Sequence, residues 1–262
     1  MSIHEKALIT GASAGIGATY ADRLARRGFD LILVARDLAR LDALAAKLRQ
    51  ETGIKVATVK ADLTDKTDLA RIEQRLQTDA SITMLVNNAG SAVAGQLVQA
   101  DADKLESMIL LNVLAPTRLA KAAATSFAAQ GRGAIINIGS VLALAPEISG
   151  AAYSGTKAYM LNLSQVMQRE LAPSGVKVQA VLPGATRTEI WDRSGTGLAN
   201  VPAEILMEVD ELVDAALAGF DMNEAITIPS LTDVADWNAM QAARLKLGPN
   251  LSRQHPAGRY SA

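Results

Sequence analysis

Three side chains in the second half of the sequence, Ser140, Tyr153 and Lys157, are of types that can move a proton together. Tyr153 and Lys157 are four positions apart, so a helix would place the phenol and the ammonium on one face. Acid–base work near neutrality requires a tyrosine pKa to fall by roughly 3 units, which one cation at about 4 Å can supply. The trio predicts that Lys157 lowers the pKa of Tyr153, and that Ser140 hydrogen-bonds the reacting oxygen.

The elements around this trio have to be considered, because a tyrosine and a lysine at this spacing are also common on ordinary helix surfaces. The apolar run at residues 134–138 predicts a buried strand that delivers Ser140 to its C-terminal end. The segment from Ala151 onward is rich in Ala, Leu, Met and Gln, which predicts a helix that carries Tyr153 and Lys157.

A glycine-rich segment lies between a predicted strand at residues 6–10 and a predicted helix at 18–27. Glycines at such a junction permit a tight turn and let backbone amides approach a diphosphate, whose charge the helix N-terminus favours. The residues predicted to bind a dinucleotide here are Gly11, Ser13, Gly15, Ile16 and Gly17. The segment also fits Gly-x-Ser-x-Gly, so a serine hydrolase with Ser13 as nucleophile is an alternative. Its only downstream histidine is His255.

Further strands are predicted at residues 30–35, 55–60, 83–87 and 177–182, separated by helical segments. This alternation predicts an α/β fold: a single-domain Rossmann fold with a doubly wound parallel sheet of about seven strands and helices on both faces. Polar or glycine residues follow nearly every strand: Gly11, Arg36, Asp62, Asn88, Ser140 and Gly184. Such sheets bind ligands at that edge, so the pattern predicts a nucleotide site.

The remaining segments complete one predicted domain over residues 1–262. Residues 105–129 are predicted to be a long helix that Pro116 disturbs. Strand and helix signals lapse over residues 185–200, which predicts a mobile flap or a plain surface loop. A helix, a short strand at 225–228 and a helix at 235–247 follow, and the tail at 248–262 is predicted to be irregular.

The end of the second predicted strand indicates which dinucleotide is bound. A carboxylate there would bind the ribose 2′-hydroxyl of NAD, but the residues present are Ala35 and Arg36. The small neutral side chain leaves room for a 2′-phosphate, and the guanidinium can bind it with charge-assisted hydrogen bonds, to which Ser13 can add its hydroxyl. The predicted cofactor is therefore NADP(H), and Asp37 is assigned to a helix N-cap.

Composition limits the other classes of function. The chain has 262 residues, of which 49% are hydrophobic and 20% charged, with net charge −1. No basic excess indicates nucleic acid or an anionic membrane as a partner. There are no cysteines and only two histidines, so no metal site is predicted. The N-terminal residues lack the layout of a signal peptide, and a cytoplasmic location is expected.

Taken together, these motifs resemble the short-chain dehydrogenase/reductase family over roughly residues 5–230. Residues 10–17 resemble its cofactor turn, residues 87–90 resemble its second signature, and Ser140, Tyr153 and Lys157 match its catalytic trio in order and spacing. The resemblance adds Asn112 to the catalytic residues. It adds these positions to the cofactor site: Asp62, Leu63, Asn88, Ala89, Gly90, Tyr153, Lys157, Pro183, Gly184 and Thr188. Gly155 and Thr156 stand where Ala and Ser are more usual.

The resemblance implies hydride transfer between NADP(H) and a small-molecule carbonyl or alcohol. Tyr153 would donate the proton, Lys157 would lower its pKa and hold the nicotinamide ribose, and Asn112 would connect the site to solvent. An apolar substrate pocket is predicted from five residues: Val141, Leu142, Ala143, Leu144 and Trp191. Resembling proteins pair the helices from about residues 105 and 151, which implies a homo-oligomer, a tetramer or dimer. A non-catalytic NADP-binding regulator is the alternative.

Overall fold

The computed structural model describes residues 5–148 and 150–260, with the side chain of Ala151 excepted. His4 lies outside the described residues. The chain divides into two compact units, one that ends at Pro229 and one that starts at Ser230. Every predicted site residue belongs to the first unit. The extent of the predicted single domain beyond Pro229 stays a prediction.

Within the described residues, the first unit contains one sheet of seven strands in the order β3-β2-β1-β4-β5-β6-β7. The strands are β1 (Lys6–Thr10), β2 (Asp30–Ala35), β3 (Val56–Lys60), β4 (Ile82–Asn87), β5 (Gly133–Ile138), β6 (Val176–Val181) and β7 (Ile226–Thr227). All neighbours pair in parallel. The order reverses direction between β1 and β4, and this is the position at which such sheets bind nucleotides. The predicted parallel sheet is confirmed.

Helices cover both faces of the sheet. They are α1 (Gly15–Arg26), α2 (Leu38–Thr52), α3 (Lys66–Thr78), α4 (Ala102–Ile109), α5 (Ala115–Gln130), α6 (Ala151–Leu171), α7 (Ile190–Ser194) and α8 (Val209–Asp221). Successive strand residues point to opposite faces, so in β1 Ala7 and Ile9 join one core and Leu8 joins the other. The first core includes residues of α1, α2 and α8, and the second includes residues of α3, α5 and α6. Helices on both faces, as predicted, are confirmed.

Capping explains where α2 and α3 begin. The Asp37 carboxylate accepts the backbone N–H of Arg40 at 3.1 Å, which confirms its assignment to an N-cap. Gly53, with a φ of 74°, ends α2 in the left-handed conformation. Helix α3, whose bounds were not predicted, begins in the same way because Asp65 caps two of its N–H groups.

The helix predicted over residues 105–129 is interrupted. Residues Leu110–Leu114 form a π-helical turn between α4 and α5, and the buried Asn112 lies within it. Pro116 has no N–H to donate to the carbonyl of Asn112, so the regular helical ladder cannot continue through this point. The predicted disturbance is confirmed, and it lies just before Pro116. Wide turns of this kind are frequent at functional sites.

Residues 185–200, predicted to be a mobile flap or a plain surface loop, are called the flap below, and their mobility stays a prediction. Because strand and helix signals lapse here, no helix was predicted, and this is wrong for Ile190–Ser194, which form α7. The indole N–H of Trp191 donates to the carbonyl of Thr186 at 2.7 Å, and Gly195 ends the helix with a φ of 89°. The Trp191 side chain thus stabilises this short helix from within the flap. The spacing of apolar residues over five positions is too short a pattern to predict such a helix.

The second unit contains α9 (Val234–Leu245), capped by Asp233, and two single 3₁₀ turns at Gly248–Asn250 and Gly258–Tyr260. Helix α9 matches the helix predicted at 235–247, and the irregular tail at 248–262 stays a prediction. No helix among residues 5–148 and 150–260 is both long and apolar enough to cross a membrane.

Candidate active site

The glycine turn, residues 11–17, is held against the loop after β4. The Thr10 hydroxyl oxygen accepts the backbone N–H groups of Asn88 and Ala89, both at 3.0 Å. The Asn88 side-chain amide donates to the carbonyls of Thr10 at 2.9 Å and Gly11 at 3.2 Å. Two predicted motifs are therefore brought together, and the amide of Asn88 holds the turn in place.

Close packing requires glycine in this turn. A Cβ on Gly11 would lie 2.8 Å from the Asn88 amide nitrogen, and a Cβ on Gly17 would lie 2.4 Å from the carbonyl oxygen of Gly11. Gly11 and Gly15 also have φ values of 66° and 52°, which side chains disfavour. A side chain at these positions would force the turn away from the loop after β4.

The start of α1 is suited to an anion. No side chain caps its first N–H groups, and its first turn contains no acidic residue. By contrast, aspartates cap α2, α3 and α4. An uncapped N-terminus leaves donors and a partial positive charge for a ligand, which fits the diphosphate of a dinucleotide. Ser13 and Ile16 flank this N-terminus and are partly buried.

The adenosine end of the predicted site lies after β2 and β3. Arg36 is exposed and forms no hydrogen bond or salt bridge with any described residue. Asp62 accepts the backbone N–H and the hydroxyl of Thr64 at 3.0 and 2.7 Å. Burial raises the pKa of Asp62, but the Thr64 hydrogen bonds and the Arg36 charge outweigh it and hold the pKa below its usual value. Arg36 is thus an available cation, and Leu63 beside Asp62 is buried.

Ser140 is placed by pairing that continues past the ends of β5 and β6. Gly139 donates its backbone N–H to Val181 at 2.7 Å, and Val141 donates to Pro183 at 2.9 Å. The buried Ser140 between them accepts the N–H of Leu142 at 3.2 Å. Its side chain also hydrogen-bonds Tyr153. The predicted delivery of Ser140 by a strand is confirmed.

Tyr153 and Lys157 lie one turn apart in α6, as the spacing predicts. The Lys157 ammonium is 5.6 Å from the centre of the Tyr153 ring and donates to the carbonyl of Ile138 at 3.1 Å. Burial lowers the pKa of Lys157 to about 8. The side chain is therefore a buried cation at neutral pH, held by β5.

The predicted fall in the pKa of Tyr153 toward neutrality is wrong for this geometry. Burial raises the pKa of Tyr153 to about 12, and the hydrogen bond with Ser140 offsets only part of that rise. The Lys157 ammonium is directed at the backbone carbonyl of Ile138. Tyr153 is therefore a neutral phenol near pH 7, which is the form that can donate a proton.

Asn112 links the loop after β4 to α6. Its amide oxygen accepts the N–H of Ser91 at 2.9 Å, and its amide nitrogen donates to the Ser91 carbonyl at 2.8 Å. The same nitrogen donates to the Thr156 hydroxyl at 3.2 Å, which in turn donates to the carbonyl of Tyr153 at 2.7 Å. Sequence reasoning noted Thr156 only as a departure from the family. Its hydroxyl joins Asn112 to the turn of α6 that carries Tyr153.

Two further groups complete the edge. A Cβ on Gly90 would lie 3.2 Å from the Asn112 amide oxygen and 3.8 Å from the Lys157 ammonium, so Gly90 joins these side chains. Pro183 is buried at the end of β6, and the flap begins two residues later. The Thr188 methyl lies 3.2 Å from where a Cβ of Gly15 would stand, which brings the flap onto the glycine turn.

No cluster of metal-binding side chains occurs in the part of the chain that the structure describes.

The chain is similar to proteins of known family and structure. A family model described as "short chain dehydrogenase" matches residues 5–199. A short-chain dehydrogenase from Sphingobium yanoikuyae, solved in complex with NADPH, is 55% identical, with a TM-score of 0.95 over 98% of this chain and 99% of that one. A bulky-bulky ketone specific alcohol dehydrogenase from Comamonas testosteroni is 49% identical, with a TM-score of 0.91 over 99% of each chain.

A more distant similarity extends to a longer protein. A very-long-chain 3-oxoacyl-CoA reductase of Podospora anserina is 33% identical over 228 residues, which cover 83% of this chain. The matched region spans 64% of that relative, so the relative contains sequence with no counterpart in the match.

Proposed function

The chain belongs to the short-chain dehydrogenase family, and we propose that it is an NADP(H)-dependent oxidoreductase that reduces ketones with bulky apolar substituents and oxidises the matching secondary alcohols. The observation that carries the proposal is the convergence of Ser140, Tyr153, Lys157 and Asn112 beside the glycine turn, at the carboxyl edge of the sheet. Proton-transfer side chains and an anion-binding helix N-terminus are thereby combined in one site.

In the reduction, Tyr153 donates its phenolic proton to the carbonyl oxygen and is left as a phenolate. The buried ammonium of Lys157 lies 5.6 Å from the ring centre and stabilises the charge that develops there. The Ser140 hydroxyl, which lies within hydrogen-bond reach of the phenol, donates its proton to the same carbonyl oxygen when the substrate is bound and fixes the position of that oxygen. The hydrogen bond from Asn112 to Thr156 keeps α6 in position. We also assign to Asn112 the role of connecting Lys157 to solvent.

The residues present fit a nicotinamide dinucleotide, which supplies or accepts the hydride when bound. The glycine turn and the uncapped N-terminus of α1 would hold the diphosphate. The remaining contacts are assigned to Arg36, Asp62 and Leu63 at the adenosine side, to Asn88, Ala89 and Gly90 in the loop after β4, and to Tyr153, Lys157, Pro183, Gly184 and Thr188 at the nicotinamide side.

Arg36 is the basis for the proposed preference for the phosphorylated cofactor. Its guanidinium forms no hydrogen bond or salt bridge with a described residue, and Ala35 before it carries no charge. A 2′-phosphate would give the guanidinium two charge-assisted hydrogen bonds, whereas the 2′-hydroxyl of NADH would give one weaker bond. The relative solved with NADPH supports the same choice.

The substrate class rests on the apolar lining predicted above. Val141, Leu142, Leu144 and Trp191 are all partly buried around the end of β5 and the flap. Such residues suit apolar groups on either side of a carbonyl better than charged or sugar-like ones. The Comamonas relative is described as specific for bulky-bulky ketones, which supports this class.

We also propose that the protein is a cytoplasmic homo-oligomer. Ile109, Leu114 and Tyr159 are 47%, 39% and 40% exposed on α4, the π turn and α6. These are the helices that the sequence predicts to pair between copies. Light scattering at micromolar concentration should give a dimer or tetramer mass, and a purely monomeric mass would contradict this part of the proposal.

Turnover tests the proposed function. Purified protein should oxidise NADPH, measured by the loss of its absorbance, in the presence of diaryl or long-chain ketones and much more slowly with acetone or sugars. NADPH binding without turnover of any ketone or alcohol would favour the non-catalytic alternative. Hydrolysis of an activated ester, abolished by Ser13→Ala, would favour the serine hydrolase. No hydrogen bond among the described residues joins Ser13 to a histidine.

A further inference from the structure

One salt bridge joins the flap to the helix at the adenosine side of the site. Arg40 in α2 donates from one guanidinium nitrogen to both carboxylate oxygens of Glu189, at 2.9 and 3.0 Å. The two residues are 149 positions apart in the sequence, so the contact is purely tertiary. Arg40 lies in the first turn of α2, the helix that starts directly after Arg36 and its neighbour Asp37.

The flap also contacts the site at two other points. Thr188, next to Glu189, packs its methyl group on Gly15 in the glycine turn. At the far end of the flap, the carbonyl of Ser194 accepts the N–H of Ala94 at 3.2 Å, in the loop after β4. The segment therefore lies against the glycine turn, where the diphosphate is proposed to bind, and is also fixed to α2 and to the loop after β4. The Arg40–Glu189 pair is the charged contact among these three.

The pair is weak and open to water. The side chains of Arg40 and Glu189 are 48% and 47% exposed. Glu189 is shared with Arg193, one turn later in the flap, and Arg40 also lies 3.5 Å from Asp37. Exposed pairs of this kind change an equilibrium constant by only about two- to fivefold. A contact of that strength can hold a flap in place and still open in every catalytic cycle.

We propose that Arg40 and Glu189 are positioning residues that hold the flap over the bound dinucleotide and slow its dissociation. The inference rests on the proposed function in one respect, the binding of a nicotinamide dinucleotide at the glycine turn. Neither side chain has to touch the cofactor, because their effect passes through Thr188 and the flap backbone. NADPH and NADH share the diphosphate beneath this part of the flap, so both should be held equally.

The proposal differs in a measurable way from a direct role of Arg40. If the guanidinium bound the 2′-phosphate, its loss would speed the dissociation of NADPH and leave NADH unchanged. If it acts through Glu189, loss of either partner should speed both. The double variant should then behave like each single variant, since the same contact is removed in all three.

The test uses Arg40→Gln, Glu189→Gln, the double variant and Arg193→Gln as the matched control. Arg193 pairs with the same carboxylate but lies on the flap itself, so its loss leaves the link to α2 intact. Stopped-flow fluorescence should show dissociation of NADPH and of NADH about two- to fivefold faster in the first three proteins and unchanged in the control. The difference should disappear at about 0.5 M salt, where exposed charges are screened.

A second readout needs no cofactor. Hydrogen exchange of backbone amides in residues 187–195 should be faster in Glu189→Gln than in the wild type and the control. Unchanged dissociation and exchange in Glu189→Gln, additive effects in the double variant, or an effect of Arg40→Gln on NADPH alone would each overturn the proposal. Because no carbonyl substrate is used, a protein that binds NADPH without turnover would refute the proposed activity and leave this result standing.

Discussion

The catalytic corner (Asn112, Ser140, Tyr153 and Lys157) and the adenosine corner (Arg36, Asp37 and Asp62) lie at the same edge of the sheet but are built differently. In the catalytic corner, Asn112 and Lys157 are 2% and 7% exposed, and hydrogen bonds tie each to another element. In the adenosine corner, Arg36 is exposed and has no hydrogen-bond partner among the described residues. Buried polar groups must be paired, so the fold fixes their positions, whereas an exposed cation is available to a ligand. Substitutions should therefore change the rate in one corner and the choice of cofactor in the other.

The largest effect among the variants that sharpen this contrast is expected for Ser140→Ala. The substitution removes the hydroxyl that positions the carbonyl oxygen, and one such donor contributes about 10²–10³ in kcat. NADPH affinity should stay within about twofold, since Ser140 lies outside the adenosine corner. Steady-state kinetics with a bulky ketone measure both quantities. Ser154→Ala is the control, because that hydroxyl donates to the carbonyl of Leu142 instead; equal losses in both variants would contradict the assignment.

Arg36→Ala should change selectivity by about ten- to a hundredfold, because hydrogen bonds to charged groups contribute about 1.5–3 kcal/mol each. The ratio of kcat/KM for NADPH to that for NADH should fall by this factor, while kcat at saturating cofactor stays near the wild-type value. Arg132→Ala provides the control, since Arg132 pairs with Glu5 at the opposite edge of the sheet. An unchanged ratio, or a wild type that prefers NADH, would remove Arg36 from the proposed site.

A smaller effect is expected from pH. Burial lowers the pKa of Lys157 to about 8 and raises that of Tyr153 to about 12, so the ammonium is lost first as pH rises. The reduction requires a protonated Tyr153 and a charged Lys157, so kcat/KM for NADPH, which reports groups of the free enzyme, should fall above pH about 8. At one pH unit above that midpoint the loss should be about tenfold. A profile that stays level up to pH 10 would show that the charge of Lys157 is not needed.

The catalytic corner also shows which features can be predicted from the sequence and which cannot. The order of elements and the positions of Ser140, Tyr153 and Lys157 follow from apolar runs and spacing, which are local signals. The pKa of Tyr153 was predicted in the wrong direction, because it depends on burial of the side chain, which the spacing of residues does not indicate. The Lys157 ammonium donates to the Ile138 carbonyl, which only the packing of α6 on β5 brings within reach.

Three other features show the same limit. Helix α3 has a capping aspartate at Asp65 and buried Leu69, Ile72 and Leu76 at helical spacing, so its bounds could have been predicted within the helical segment expected there. The π turn at Leu110–Leu114 and the Thr156 bridge have no such signal, because each depends on how separate segments meet. The Arg40–Glu189 pair likewise joins residues that only the tertiary fold brings together.

Proton donation by Tyr153 is tested most directly by the Tyr153→Phe variant, assayed for turnover and for NADPH binding on the same preparation. The substitution removes only the phenolic oxygen, and a general acid contributes about 10²–10⁴ to the rate. Ketone reduction should fall by at least about a hundredfold while the dissociation constant for NADPH stays within about twofold. Turnover within about threefold of the wild type, with any ketone that the wild type accepts, would show that Tyr153 does not supply the proton.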